Sequence, residues 1–177
     1  MDHTNSLPRF EQVFLPHLKA AYNLARWLAR NDHDAEDLAQ EAYLRALRSF
    51  DTFRGVDGRA WLLTIVRNTW RTWAGNRQKM SSDTPFNEEI HVVDPGLGNP
   101  ETFLVEQAGR DSLHQALEDL PDDAREMLVL RELEGLSYRE IAEVTGLRPG
   151  TVMSRLSRAR RRLSERLGPQ KESHVEL

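Results

Sequence analysis

Residues 135–163 read GLSYREIAEVTGLRPGTVMSRLSRARRRL, and their spacing predicts the structure of the C-terminal half. Ser137 and Glu140 have the spacing of a capping box, in which the serine caps the start of a helix and the glutamate reaches back to it. Gly146 permits the left-handed backbone conformation of a turn. Arg148-Pro149-Gly150 then leads into a second helix, so the spacing predicts a helix-turn-helix.

The second helix of this motif has two unlike faces on a helical wheel. One face is an apolar stripe made of Val152, Leu156, Ala159, Leu163 and Leu167. The other carries hydroxyl and guanidinium groups, with no carboxylate before Glu165, and consists of Thr151, Ser154, Arg155, Ser157, Arg158, Arg161 and Arg162. Such donors suit phosphates and guanine edges, so we predict duplex DNA binding, with Ser154 and Arg158 nearest the bases and residues 160–162 nearest the phosphates. A merely solvated face is the alternative.

A second basic helix is predicted from Ala60 to Asn76. On its wheel, one arc is shared by Thr64, Arg67, Asn68 and Arg71. Two arginines beside an amide can hold backbone phosphates while the amide reads an exposed base, and Trp70 at the edge of the apolar stripe can stack on one. The alternative for Asn68 is that it is only a hydrated surface residue. The alternative for Trp70 is that it belongs to the core, as we expect for Trp61 and Trp73.

The rest of the chain also has helical periodicity. Helices are predicted over 8–29, with a break at Pro16, and over 34–50, 112–120 and 121–134. Residues 77–99 lose this pattern, and only the weak EIHVV at 89–93 resembles a strand. We therefore predict an all-α fold of two small helical domains, residues 8–76 and 107–168, joined by an acidic flexible linker over 77–106 and followed by a tail over 169–177.

Charge alternates along the chain although the formal net charge is only −4. Residues 54–79 have six basic and one acidic side chain, whereas residues 81–106 have six acidic and none basic. Residues 107–147 have ten acidic and four basic side chains, and residues 148–166 have seven arginines and one glutamate. Two cationic segments indicate two contacts with a polyanion, with two solvated helix faces as the alternative.

Several classes of protein are disfavoured. The 177 residues contain no cysteine, which excludes disulfides, thiolate metal sites and a cysteine nucleophile. There is no apolar run of 18 residues and no signal-peptide pattern at the start, so we expect a cytoplasmic protein without direct membrane insertion. The acids and histidine of residues 32–37 resemble a metal cluster of a nuclease or phosphohydrolase, but they also fit a capped helix start. We expect no enzyme activity, no cofactor and no metal site.

The sequence resembles an extracytoplasmic-function (ECF) sigma factor, the two-domain promoter-recognition subunit of bacterial RNA polymerase. The resemblance covers roughly residues 10–167. It rests on the motifs DAEDLAQEAY at 34–43, FRG at 53–55, RAWL at 59–62, RNT at 67–69, LP at 120–121, LRELEGLSY at 130–138, GTV at 150–152 and SR at 154–155.

The resemblance implies partners and residue roles. Asp37, Gln40 and Glu41 would dock on core RNA polymerase, which contributes its beta and beta-prime subunits, and an anti-sigma factor is expected as a regulator. Asn68 would read a flipped base of the melted minus-ten element, and Ser154 and Arg158 would read the minus-thirty-five element as duplex. Met153 and Ser157 depart from the family pattern. The alternative is a free-standing helix-turn-helix regulator, whose N-terminal half would need a sensor or dimer surface.

Overall fold

The computed structural model describes residues 6–54, 57–80, 109 and 111–167. Within these ranges every regular element is helical, which confirms the all-α prediction. The weak strand pattern at 89–93 lies outside the described residues. The helices are α1 Ser6–Phe14, α2 Leu18–Ala29, α3 Asp32–Arg48, α4 Gly58–Met80, α5 111–118, α6 Asp122–Leu128, α7 Tyr138–Thr145 and α8 Pro149–Leu167.

The N-terminal unit consists of α1–α4. Pro16 breaks the first helical pattern, as predicted, and lies in a short 3₁₀ turn, Leu15–His17, because proline cannot donate the backbone hydrogen bond that a continuous helix needs. Helices α2, α3 and α4 pack against one another. A β-carbon added at Gly58 would come within 2.6 Å of Val13 Cγ1, so glycine lets the first turn of α4 approach α1 closely.

Aromatic rings fill the end of this unit where α1 meets α4. The Phe14 ring lies 4.9 Å from Phe10, 5.5 Å from Phe53 and 5.1 Å from Trp61, measured between centroids. Phe50 adds an edge contact at 5.9 Å. Phe10 and Phe14 are fully buried, so this cluster fixes how α4 begins.

The C-terminal unit consists of α5–α8. The helix predicted over 121–134 is observed as α6 followed by a π-helical turn, Val129–Leu133. It ends at Gly135, which has a φ of 66°. The fully buried Arg125 side chain donates to the carbonyl of Glu118 and to Asp122, and so joins the end of α5 to the start of α6.

The two units pack on each other. Leu62 and Val66 of α4 belong to the same continuous buried cluster as Ile141 and Val144 of α7, and α4 contacts α7 directly. Helix α4 continues to Met80, four residues into the range 77–106 that the loss of helical periodicity assigns to the linker. The remaining linker range, 81–106, and the predicted tail, 169–177, lie outside the described residues. In the described part of the chain, no helix is long and apolar enough to cross a bilayer.

Candidate nucleic-acid interface

The helix-turn-helix has the local geometry that its sequence predicts. Ser137 Oγ accepts from the Glu140 backbone amide at 3.2 Å, and the Ser137 amide donates to Glu140 Oε2 at 2.6 Å. These two bonds complete the capping box. Hydrogen bonds to the Glu140 carboxyl from the Ser137 side chain and from the Ser137 backbone amide lower its pKa. Gly146 ends α7 with a φ of 69°, which a residue with a β-carbon rarely adopts. The turn therefore fixes the direction in which α8 starts.

Helix α8 buries the stripe that its periodicity predicts. Val152, Leu156 and Ala159 are buried, whereas Leu163 and Leu167 near the end of the helix are half-buried. On the opposite side Ser154, Ser157, Arg158, Arg161 and Arg162 are exposed, and Thr151 and Arg155 are half-buried. Arg158 Nε donates to the Ser154 carbonyl at 3.2 Å, which keeps its side chain along the start of the helix. The arrangement forms a donor-rich surface that a major groove can accommodate.

Three arginines on this helix have carboxylate partners, and one of them, Arg166, has its Nη1 3.6 Å from Asp119. Arg160 donates to Glu132 Oε1 at 2.7 and 2.9 Å, and these bonds raise the pKa of Arg160. Arg161 Nε lies 3.7 Å from Glu165. Arg160, which the sequence groups with the phosphate-facing residues 160–162, therefore ties α8 to the π-helical turn in this arrangement.

The predicted face of α4 is only partly exposed. Asn68 and Arg71 are exposed, and Thr64 and Trp70 are half-buried. Arg67 is buried, with only 7% of the residue exposed. Its Nε donates to Glu126 Oε1 at 2.5 Å, and Glu126 belongs to α6 of the C-terminal unit. The structure thus leaves Asn68 accessible and pairs Arg67 internally.

Helix α3 presents the acidic and amide side chains of its motif to solvent. Asp37 and Gln40 are exposed, and Glu41 is half-buried with a 2.7 Å ion pair to Arg45 one turn later. Asn31 caps this helix, since its side chain accepts from the Asp34 amide at 2.7 Å. The three predicted docking residues therefore lie together on one stretch of α3.

Acidic side chains at the start of α3 lie close to basic side chains. Asp32 pairs with Arg26 at 2.9 Å, and His33 lies 3.7 Å from Asp37. Within residues 6–54, 57–80 and 111–167, no group of three or more histidine, aspartate or glutamate side chains is arranged to hold a metal ion.

Sequence reasoning missed Glu126 and Glu134 as binding partners within the chain. The Glu126 pKa is raised because burial disfavours its charged form, although Arg67 acts against that effect. Glu134, 7% exposed, accepts from Arg59 Nη2 at 2.8 Å. One signal was available for Glu126, because Val129 and Leu130 follow it at the i+3 and i+4 positions and place it on an apolar side of its helix.

Two protein families match this chain. Residues 13–79 match Sigma-70 region 2, which covers most of the N-terminal unit. Residues 110–163 match Sigma-70 region 4, which includes the helix-turn-helix. The donor-rich faces of α4 and α8 lie within these two matched segments.

Individual relatives are similar over most of the chain. The ECF RNA polymerase sigma-E factor of Escherichia coli is 36% identical over 143 residues, which are 77% of this chain and 75% of the relative. SigE of Mycolicibacterium smegmatis, an ECF RNA polymerase sigma factor, is 33% identical over 162 residues, 92% of this chain but 63% of the longer relative.

Among solved structures, the sigma factor RpoE bound to the anti-sigma factor NepR, from Bartonella quintana, superposes with a TM-score of 0.76. It is 32% identical, and the match covers 92% of this chain and 99% of that one. CnrH in complex with the cytosolic domain of CnrY gives a TM-score of 0.59 at 25% identity, covering 88% and 85% of the two chains.

Proposed function

Because this chain belongs to the ECF RNA polymerase sigma factors, we propose that it binds core RNA polymerase in the cytoplasm and directs transcription initiation to selected promoters. The observation that carries this proposal is the exposed face of α8, on which hydroxyl and guanidinium groups follow one another without a carboxylate before Glu165. Such a surface suits a duplex, because phosphates and guanine edges are both acceptors.

Helix α8 is the proposed reader of the upstream, minus-thirty-five element. Ser154 and Arg158 lie in its first turns, where recognition helices contact base edges. Arg161 and Arg162 lie farther along the helix, where they suit the phosphates. Met153, which departs from the family pattern, is 55% exposed and places an apolar group beside these donors. The upstream element is therefore not expected to match that of other family members.

Helix α4 is the proposed reader of the melted minus-ten element. Asn68 offers an exposed amide that can pair with the edge of an unstacked base, and Arg71 offers a cation beside it. Trp70, which directly precedes Arg71, is half-buried and presents an aromatic surface on which a base can stack. These contacts are available only once the two DNA strands separate.

Replacing Asn68 with alanine is expected to reduce open-complex formation while leaving binding to core polymerase intact. The change removes the amide from an exposed position, so it costs the fold little. Permanganate reactivity of melted thymines measures the effect, and Asn76→Ala, an exposed asparagine of the same helix, is the control. Equal thymine reactivity in the two variants would remove Asn68 from the reading surface.

Helix α3 is the proposed polymerase-docking surface. Asp37 and Gln40 are exposed and Glu41 lies beside them, so the surface offers acidic and amide groups to a basic partner. Opposite charges across an interface raise the association rate and fix the register. The large beta-prime subunit is the proposed partner of this surface, with the beta subunit completing the complex.

Glu41→Lys is expected to weaken the affinity for core polymerase, because it reverses a charge at this surface. The fold should lose only about 0.3–0.5 kcal/mol from the half-buried ion pair with Arg45, one helical turn away. Fluorescence anisotropy with labelled chain and core polymerase measures the affinity. Glu11→Lys makes the same charge change at an exposed position of α1, and an equal affinity for both variants would reject the docking role.

An anti-sigma factor is the third proposed partner. Support comes from the sigma factor RpoE of Bartonella quintana, whose solved complex contains the anti-sigma factor NepR and matches 92% of this chain. To inhibit the present chain, such a partner would need to cover the docking surface on α3 or the donor-rich face of α8.

Gel filtration with core RNA polymerase tests the assembly step of this proposal. The chain is expected to co-elute with the polymerase as a holoenzyme. Separate elution of the two, with the chain still folded, would contradict the proposal and leave a free-standing helix-turn-helix regulator as the better account.

A further inference from the structure

Arg160 connects α8 to the π-helical turn that follows α6. Its Nε and Nη2 both donate to Glu132 Oε1, at 2.9 and 2.7 Å, and Glu132 belongs to that turn. The Glu132 carboxylate and the Tyr138 hydroxyl both accept from Arg160 and raise its pKa. Tyr138 is the first residue of α7. The π-helical turn, α7 and α8 therefore meet at one guanidinium group.

Tyr138 is held from its other side by the π-helical turn. The guanidinium carbon of Arg131 lies 5.0 Å from the centre of the Tyr138 ring, which is a cation–π contact. Arg131 Nη1 also donates to the Leu136 carbonyl at 2.7 Å, so it closes the short segment between the turn and α7. The groups that accept from Arg160 are thus attached to a segment that has bonds of its own.

Arg160 lies beside the buried stripe of α8, although its side chain is 47% exposed. It directly follows buried Ala159 and comes one helical turn after buried Leu156. Arg158 precedes Arg160 by two positions, which places the two side chains about 200° apart around the helix. The bonds of Arg160 therefore act at the edge of the packed side, while Arg158 lies on the exposed side.

A bonded contact at this edge resists rotation of α8 about its own axis. Apolar packing of the stripe is non-directional, whereas a guanidinium donates hydrogen bonds in fixed directions. Ser154 and Arg158 belong to the same helix, so any rotation turns both of them relative to the DNA. Base-edge contacts require side chains that are held within roughly 10–20° of the productive orientation. The contact between Arg160 and Glu132 thus acts on the variable that base reading depends on.

We propose that Arg160 is a positioning residue for recognition of the upstream element: its bonds to Glu132 fix the rotation of α8, and its guanidinium does not contact a DNA phosphate. The proposal rests on the proposed function, because it takes α8 to be the reader of that element. It separates Arg160 from Arg161 and Arg162, with which the sequence groups it as a phosphate contact.

A positioning residue and a phosphate contact differ in two measurable effects. Loss of a phosphate contact weakens binding about equally on every sequence, and it lowers the dependence of affinity on salt by about one unit of the log–log slope. Loss of a positioning contact weakens binding to the recognised sequence, whereas the salt slope stays unchanged because no ion pair with DNA is lost.

Holoenzyme assembled from core RNA polymerase and the full chain provides the test. It is bound to two promoter fragments that differ only in the upstream element, which is either the sequence that the unmodified chain selects in run-off transcription or a scrambled sequence. Discrimination is the ratio of the two affinities. Arg160→Gln and Glu132→Gln are each expected to lower this ratio about three- to fivefold, and Arg160→Gln is expected to keep the salt slope of the unmodified chain.

Asp119→Asn and Arg166→Gln are the matched controls. Asp119 Oδ2 lies 3.6 Å from Arg166 Nη1, and this pair is about as exposed as the pair of Arg160 with Glu132 but reaches α8 near its end. Each control makes the same charge change as its test variant, so the nonspecific attraction to DNA changes equally. Both controls are expected to keep the discrimination ratio of the unmodified chain, and circular dichroism verifies that every variant is folded.

The double variant Arg160→Gln with Glu132→Gln is expected to discriminate about as well as either single variant, because each single change already removes the same contact. Additive losses would overturn the proposal. An unchanged ratio in both single variants would also overturn it, as would an equal loss on the two fragments with a lower salt slope for Arg160→Gln. If the unmodified chain selects no upstream element, the proposed role of α8 fails and this proposal with it, so the two failures are distinguishable.

Discussion

Replacing Phe14 with alanine should lower the free energy of unfolding by about 3–5 kcal/mol, because it leaves a cavity in a close-packed aromatic cluster. The Phe14 side chain is fully buried and contacts the rings of Phe10, Phe53 and Trp61. Since Trp61 belongs to α4, the loss also loosens the helix that carries Asn68. Urea unfolding followed by circular dichroism measures the change.

Leu15→Ala is the control for this loss. It removes a side chain from the next residue, but Leu15 is 51% exposed, so the expected change stays within about 0.5 kcal/mol. If the two variants unfold at the same urea concentration, the aromatic cluster does not hold α1 against α4 as described.

Arg158→Ala should weaken recognition of the upstream promoter element by about 1–3 kcal/mol, which is roughly a 5- to 150-fold loss of affinity. Arg158 is exposed in the first half of α8 and is held along the helix by its bond to the Ser154 carbonyl. A guanidinium there suits a bidentate contact with guanine. The effect is measured as the affinity for a duplex that carries the upstream element (the selected element), compared with the affinity for a duplex of scrambled sequence.

The pattern of the loss decides which contact Arg158 makes. A base contact predicts a loss on the selected element that is much larger than the loss on the scrambled duplex. Equal losses on both would demote Arg158 to a phosphate contact. Arg139→Ala, which removes an exposed arginine of α7 outside the donor-rich face, is expected to change neither the affinity nor the discrimination appreciably.

The helix-turn-helix could be predicted because its signals are local. Ser137 and Glu140 are three residues apart, and Gly146 acts through its own backbone, so neither depends on the rest of the fold. The burial of Val152 and Leu156 follows from their spacing in the same way. Local capping and periodicity therefore established both the class of the C-terminal unit and the face of α8 that remains exposed.

The environment of Arg67 could not be predicted from the same kind of signal. A helical wheel groups Arg67 with Asn68 and Arg71, but it does not show which other helix covers that face. The residue that pairs with Arg67 is Glu126, 59 positions later in the chain. Such a contact depends on how the two units pack, and one helix contains no information about that.

The alternating basic and acidic segments of the chain also form ion pairs with each other. The basic segments predict contacts with a polyanion, whereas the sequence predicts no partner for the acidic segment over 107–147. In the structure Arg59 and Arg67 of the basic segment pair with Glu134 and Glu126 of that acidic segment. These charges therefore form an internal contact between the two units.

Run-off transcription with purified core RNA polymerase over a library of promoter fragments measures whether this chain selects start sites. Adding the chain is expected to produce transcripts from a restricted set of start sites, which share an upstream element and a downstream element at a constant spacing. If the folded chain, free of any inhibitor, never changes which start sites the polymerase uses, it does not direct transcription initiation.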